Sequence, residues 1–325
     1  MLKVIYKKDL SSEQDKEQRL LKILAYFAVF EFPLTADEIR RFLAPGILAD
    51  CIENTLLSLT EQGVIYKLDK YYSLYDQPEW ARRKQEGFLQ AKELLPRAQR
   101  VGRFLARFPF VTGVGISGGL SKMSATEHSD FDFFIVTRAN RLWLARTLLH
   151  LYKKFTYLTG TEHFHCMNFF IDETALALRD RNMYTAVETM TLVPVCGEGL
   201  QQFYQANSWV RERFADYQLV MEAETRPIKR SWLRRGFESL LANRLGNAID
   251  SYLMRITARR WRKKEREHKL SPGGKTMSLN TGKHYAWSNP GSFQQRTLAR
   301  YQREVNLLSQ QWPEYFQRIS YSFGG

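Results

Sequence analysis

Cysteine is scarce in this chain. The three residues, Cys51, Cys166 and Cys196, are odd in number and spread widely over 325 positions. That pattern excludes a disulfide framework and fits reduced thiols in a reducing compartment. Long apolar runs are also lacking: the longest, Leu20 to Phe32, carries Lys22 and Glu31 and is too short to span a bilayer. The opening MLKVIYKKDLSSEQDKEQ lacks the apolar stretch that a cleavable signal needs. The expectation is a cytoplasmic chain without membrane association. There is no internal repeat. A content of 44% hydrophobic and 14% aromatic residues excludes long disorder, and the length calls for two or three domains.

Negative charge is missing from one segment in particular. From Arg226 to Lys283 there are 16 Lys and Arg against 4 Asp and Glu, so +12 of the net +14 falls there and +2 elsewhere. Trp232 and Trp261 interleave with the cations, which marks residues 226–283 as a surface for nucleic acid or another polyanion. Leu240, Leu241, Leu245, Ile249, Leu253 and Ile256 recur at helical spacing and predict a buried stripe on that segment.

The N-terminal residues 1–76 read as three helices and a hairpin. Helix patterns cover Ser12 to Glu31, Ala36 to Leu43 behind the capping box Thr35-Ala36-Asp37-Glu38, and Leu48 to Gln62. The hairpin runs from Val64 to Leu74 around Asp69-Lys70. This arrangement resembles a winged helix-turn-helix. Its third helix offers Asp50, Glu53 and Glu61 with no Lys or Arg, which disfavours entry into a DNA groove. A protein partner is expected for it instead. Residues 77–108 form a connecting helix, 109–200 a core domain and 201–325 a basic helical domain.

The chemistry concentrates in GISGGLSKMSATEHSDFDFFIVT, Gly115 to Thr137. An apolar strand leads into Gly118 and Gly119, which let the backbone approach a ligand and present bare N–H groups to an anion. A short helix begins at Leu120, and Ser121 and Lys122 add a hydroxyl and a cation suited to triphosphate oxygens. After a spacer of about ten residues, Asp130 and Asp132 stand at the mouth of a second apolar strand, on one face by its period of two. Two carboxylates about 5 Å apart repel by a few kcal/mol at an effective dielectric of about 20, so the pair calls for a cation. Hard oxygens beside a phosphate-sized turn suit Mg²⁺ or Mn²⁺.

SGGLSK followed by SDFDFFIV resembles the signature of the nucleotidyltransferase fold related to DNA polymerase beta, over roughly residues 110–175. The resemblance implies an α/β core with a mixed sheet, and transfer of a nucleoside monophosphate from an NTP to a hydroxyl acceptor with release of pyrophosphate. It implies metal ions on Asp130 and Asp132 and the triphosphate on Gly118, Gly119, Ser121 and Lys122. The third carboxylate of that family falls on the strand Phe164 to Ile171, where this chain has Asn168, an amide that ligates weakly and cannot act as a base. Asp172 is the fallback on that strand. Glu188, on a helix from Met183 to Met190, is a third candidate. The alternative reading is a nucleotide- or RNA-binding module with little or no catalysis.

Other groups carry less. His163, His165 and Cys166 lack a second ligand pair for zinc, and His128 reads as a loop residue beside the aspartates. Ser271 to Gly291, rich in Gly, Ser, Asn and Pro, reads as a loop that folds over the nucleotide. A last helix runs from Gln294 to Trp312.

Overall fold

Apolar β-branched and aromatic runs too short for helices build the central sheet of the computed structural model, which describes residues 13–43, 49–127, 129–223, 225–269, 279–288 and 290–316. The fold is mixed α/β. Two compact units emerge: residues 1–84, 211–216 and 297–325 form one, and residues 85–210 and 217–296 the other.

In the first unit, α1 (Glu13–Ala28), α2 (Ala36–Arg41) and α3 (Ala49–Glu61) accompany a three-stranded antiparallel sheet. Its strands are β1 (Leu34–Thr35), β2 (Tyr66–Leu68) and β3 (Tyr71–Ser73), in the order β1-β3-β2. The capping box forms as the sequence predicts: the Glu38 amide donates to Thr35 Oγ1 at 3.2 Å, and Glu38 Oε2 accepts from the Thr35 amide at 2.8 Å. Glu38 also accepts from buried Lys84, whose ammonium donates to Pro33 O at 2.7 Å. Lys84 belongs to α4 (Pro78–Leu105), which carries Pro96 inside it.

The second unit is organised on a six-stranded sheet in the order β7-β4-β5-β6-β9-β8. Its members are β4 (Val111–Ser117), β5 (Asp132–Thr137), β6 (Cys166–Asp172), β7 (Val193–Cys196), β8 (Leu279–Thr281) and β9 (Tyr285–Ser288). Only β5 and β6 run parallel; α6 (Leu142–Thr156) makes the crossover between them, as a parallel connection requires. Phe110, Val114, Ile116, Phe131, Phe133, Ile135, Trp143 and Phe170 fill the core, with Ala91, Ala98 and Leu105 of α4 packed against them. Around the sheet lie α5 (Gly118–Ser121), α7 (Met183–Thr191), α8 (Glu198–Ala206), α9 (Tyr217–Glu222), α10 (Trp232–Leu240) and α11 (Arg244–Arg266). The chain then enters α12 (Phe293–Gln311).

Two expectations change here. The segment read as a loop over the nucleotide contains β8 and β9, which extend the sheet beyond β6; residues 270–278 lie outside the described ones. Tyr285-Ala286-Trp287 alternates like a strand, with Ala286 buried and Trp287 stacked on Phe169 at 5.2 Å. The buried stripe is broken as well. Leu240 and Leu245 are exposed, whereas Leu241, Ile249 and Leu253 pack on the core. The helix interruption at residues 241–243 resets the phase on which the stripe depended.

Candidate active site

β4 and β5 pair antiparallel, and Ser117 faces Asp132 at the end of the ladder. The chain therefore turns at Gly118 directly beside the Asp132 side chain. Gly118 has φ +70, which glycine adopts freely, and a Cβ there would collide with Asp132 Oδ2. A Cβ on Gly119 would come within 2.6 Å of Ser124 O. Close packing thus excludes a side chain at both glycines, at Gly118 against the carboxylate and at Gly119 against the Ser124 backbone.

Asp132 pairs with Cys166 of β6, and Phe131, between the two aspartates, is held by backbone bonds to Cys166 and to the turn just before it. The Phe131 amide donates to His163 O at 3.0 Å and the Cys166 amide to Phe131 O at 3.1 Å. Just upstream the loop closes on itself, with the Thr126 amide donating to Ser129 Oγ at 2.7 Å. His128 lies outside the described residues.

Asn168 arrives by a route that alternation does not foresee. The pairing steps from Phe133↔Met167 to Phe134↔Phe169, so Asn168 is the extra residue of a β-bulge. Bulges re-aim side chains near functional sites. Here Asn168 Nδ2 donates to Asp132 Oδ1 at 2.5 Å. The fallback, Asp172, sits at the far end of the strand opposite Thr137 and takes no part.

The electrostatics around Asp132 are lopsided. Burial pushes its carboxyl up from 3.8 to about 7, and the Asp130 and Glu188 charges push the same way. Lys122 and Lys153 pull it down without prevailing. Lys122 is engaged elsewhere: its ammonium holds Glu188 at 2.9 Å and donates to Gly118 O at 3.3 Å. Ser121 is turned inward, buried, with its hydroxyl donating to Gly118 O at 2.9 Å. Tyr184, on α7 one turn before Glu188, has its phenol pushed up by burial first and then by Glu188 and Asp132.

The cluster thus presents hard oxygens with a surplus of negative charge. A divalent cation would relieve that surplus, and this donor chemistry fits Mg²⁺ or Mn²⁺. Two carboxylates and, with its amide turned over, the Asn168 oxygen could hold it. Among the described residues no group of three or more His, Cys, Asp and Glu is arranged to hold a metal. The zinc reading also lacks ligands, because both His165 ring nitrogens are taken, Nδ1 by Thr161 O at 2.9 Å and Nε2 by Tyr152 Oη at 3.0 Å.

Of the residues expected from sequence, Gly118, Lys122, Asp130, Asp132 and Asn168 come together, and Glu188 joins them. Lys153 and Tyr184 were not foreseen. Lys153 reads as the solvated end of an amphipathic helix, and nothing local marks its approach to Cys166 Sγ, 3.7 Å away. Compared with known proteins, the chain has no significant match to a family model, a curated protein or a solved structure. Among the described residues, no helix is long and apolar enough to cross a membrane.

Proposed function

We propose that the Asp130–Asp132 site is that of a metal-dependent nucleotidyltransferase of the kind the sequence motif resembles. One observation carries the reading: a half-buried carboxylate, raised to about 7 by burial and a second aspartate, packed against a glycine turn that admits no side chain. Asp130 and Asp132 would hold Mg²⁺ or Mn²⁺, which when bound neutralises them and polarises the phosphate oxygens. The Gly118–Gly119 turn gives the triphosphate close access to backbone, and Lys122 would exchange Glu188 for a phosphate oxygen. An acceptor hydroxyl forms the new bond to the α-phosphorus while the bond to pyrophosphate breaks. Its proton goes to a carboxylate of the cluster, because the Asn168 amide has no capacity for it. Glu188, freed from Lys122, is the carboxylate outside the metal pair.

The test incubates the protein with Mg²⁺ and each labelled NTP, alone, with tRNA, or with cell extract, and measures pyrophosphate release and label transfer. The combined substitution Asp130→Ala and Asp132→Ala is expected to abolish both while leaving the protein folded. Persisting transfer in that variant overturns the assignment.

The Asn168–Asp132 hydrogen bond favours a second reading, a module that binds nucleotide without transferring it. It predicts metal-dependent NTP binding and no pyrophosphate with any acceptor.

A further inference from the structure

Helix α10 is assembled inside out. Its sequence, WLRRGFESL, places Arg234 and Glu238 one turn apart, and these two charged residues form its buried face. Arg234 is 4% exposed. Its guanidinium donates to Glu238 Oε1 at 2.7 Å, to Ala106 O at 2.7 Å and to Val111 O at 2.6 Å. The same Glu238 oxygen accepts from the Phe110 amide at 2.7 Å. Three bonds from this pair to the strand entrance fix which side of α10 points inward, because a roll of the helix would leave a buried ion pair without partners.

The outward side is consequently apolar. Trp232 is 73% exposed and Leu240 68%, with Leu233 and Phe237 exposed between them and Leu245 exposed at the start of α11. Spacings of four and three residues align Leu233, Phe237 and Leu240 on one ridge. The ridge is framed by charge of one sign. From Thr225 to Ile249 the cations Arg226, Lys229, Arg230, Arg235 and Arg244 are exposed, while the only carboxylate, Glu238, is buried.

We propose that this ridge docks on an anionic lipid bilayer, with Trp232, Leu233, Phe237 and Leu240 entering the headgroup–acyl boundary and the five cations meeting the headgroups. Charge complementarity selects the occupant. A second copy of the chain brings the same cations face to face and is repelled. A nucleic acid answers the arginines and Trp232 but leaves Leu233, Leu240 and Leu245 without apolar cover. A bilayer with anionic lipids answers both, as basic, Trp- and Leu-bearing interfacial helices do. It also accepts a protruding ridge without needing a matching groove. The polyanion expected from the charge excess is, for this face, a lipid surface, in place of the expectation of no membrane association.

The test is flotation of the full chain with phosphatidylcholine vesicles, with and without phosphatidylglycerol, alongside a binding assay with total RNA. Flotation is expected only with the anionic vesicles and is weakened by high salt. The double substitution Leu233→Ser and Leu240→Ser, at exposed positions, is expected to lower the vesicle affinity by about tenfold or more. Arg235→Gln and Arg244→Gln are expected to lower it by about fivefold each. The proposal is overturned if the chain does not float with anionic vesicles, or if flotation is indifferent to the leucine pair. It is also overturned if the leucine pair instead abolishes RNA binding or self-association.

Discussion

The two ends of strand β5 each carry an aspartate in or against its ladder, and the two are held in opposite ways. At one end Asp172, on β6 opposite Thr137, is buried with every need met. It accepts from the Asn140 and Thr174 amides at 2.9 Å each, from Thr174 Oγ1 at 2.5 Å, and it pairs with His284 Nδ1 at 2.8 Å. At the other end Asp132 has the Asn168 amide, two neighbouring carboxylates, and a lysine already engaged by Glu188. The first aspartate is there to hold loops together. The second is left with a surplus of negative charge around it, which in the proposed function a bound cation would offset.

The comparison can be broken at either end. The largest effect is expected from Asp172→Ala, which strands buried donors and His284 and should cost about 3–5 kcal/mol in chemical denaturation. Activity per folded molecule should stay near that of the parent. A cost below about 1 kcal/mol would remove the structural role claimed for this end.

Asp132→Asn should act with the opposite sign. The folded value of about 7 lies above the ordinary 3.8. Asp132's contribution to stability is therefore fully present below the lower value and is lost as pH rises through the upper one. Removing the charge should stabilise the metal-free protein near pH 8 by on the order of 2 kcal/mol, allowing for partial exposure, with no gain at pH 3 to 4. Transfer activity should vanish in the same variant. Equal stability of variant and parent across that pH range would mean that the carboxylate is not strained.

Asn168→Asp is a smaller change that sharpens the contrast. It adds a third carboxylate on the bulge, and with Mg²⁺ the turnover should rise about tenfold or more. No response would favour the nucleotide-binding module. The smallest effect expected is a rise in melting temperature of the parent on adding Mg²⁺ above pH 7, absent from Asp132→Asn.

Much of this end was legible in the sequence because it is local. The glycine turn, the spacer and Asp-x-Asp lie within one short stretch, and the strand that follows is apolar throughout. What stayed hidden depends on contacts between distant segments. Alternation cannot reveal that Asn168 sits on a bulge, and the Lys122–Glu188 pair joins the turn after α5 to a helix 66 residues further along the chain. The β8–β9 extension was masked by the Gly and Ser around it. Leu240 and Leu245 turn outward for a different reason: helical periodicity assigns an apolar stripe to the core by default, and on α10 the Arg234–Glu238 pair claims the inside.

The most direct test of the central claim is titration of the nucleotide-free protein with Mn²⁺, followed by the loss of the free-ion electron paramagnetic resonance signal. The parent should take up the ion at a site that disappears when Asp130 and Asp132 are both replaced by Ala. Binding that survives the double replacement, or a parent that binds no Mn²⁺ even with an NTP present, would contradict the account.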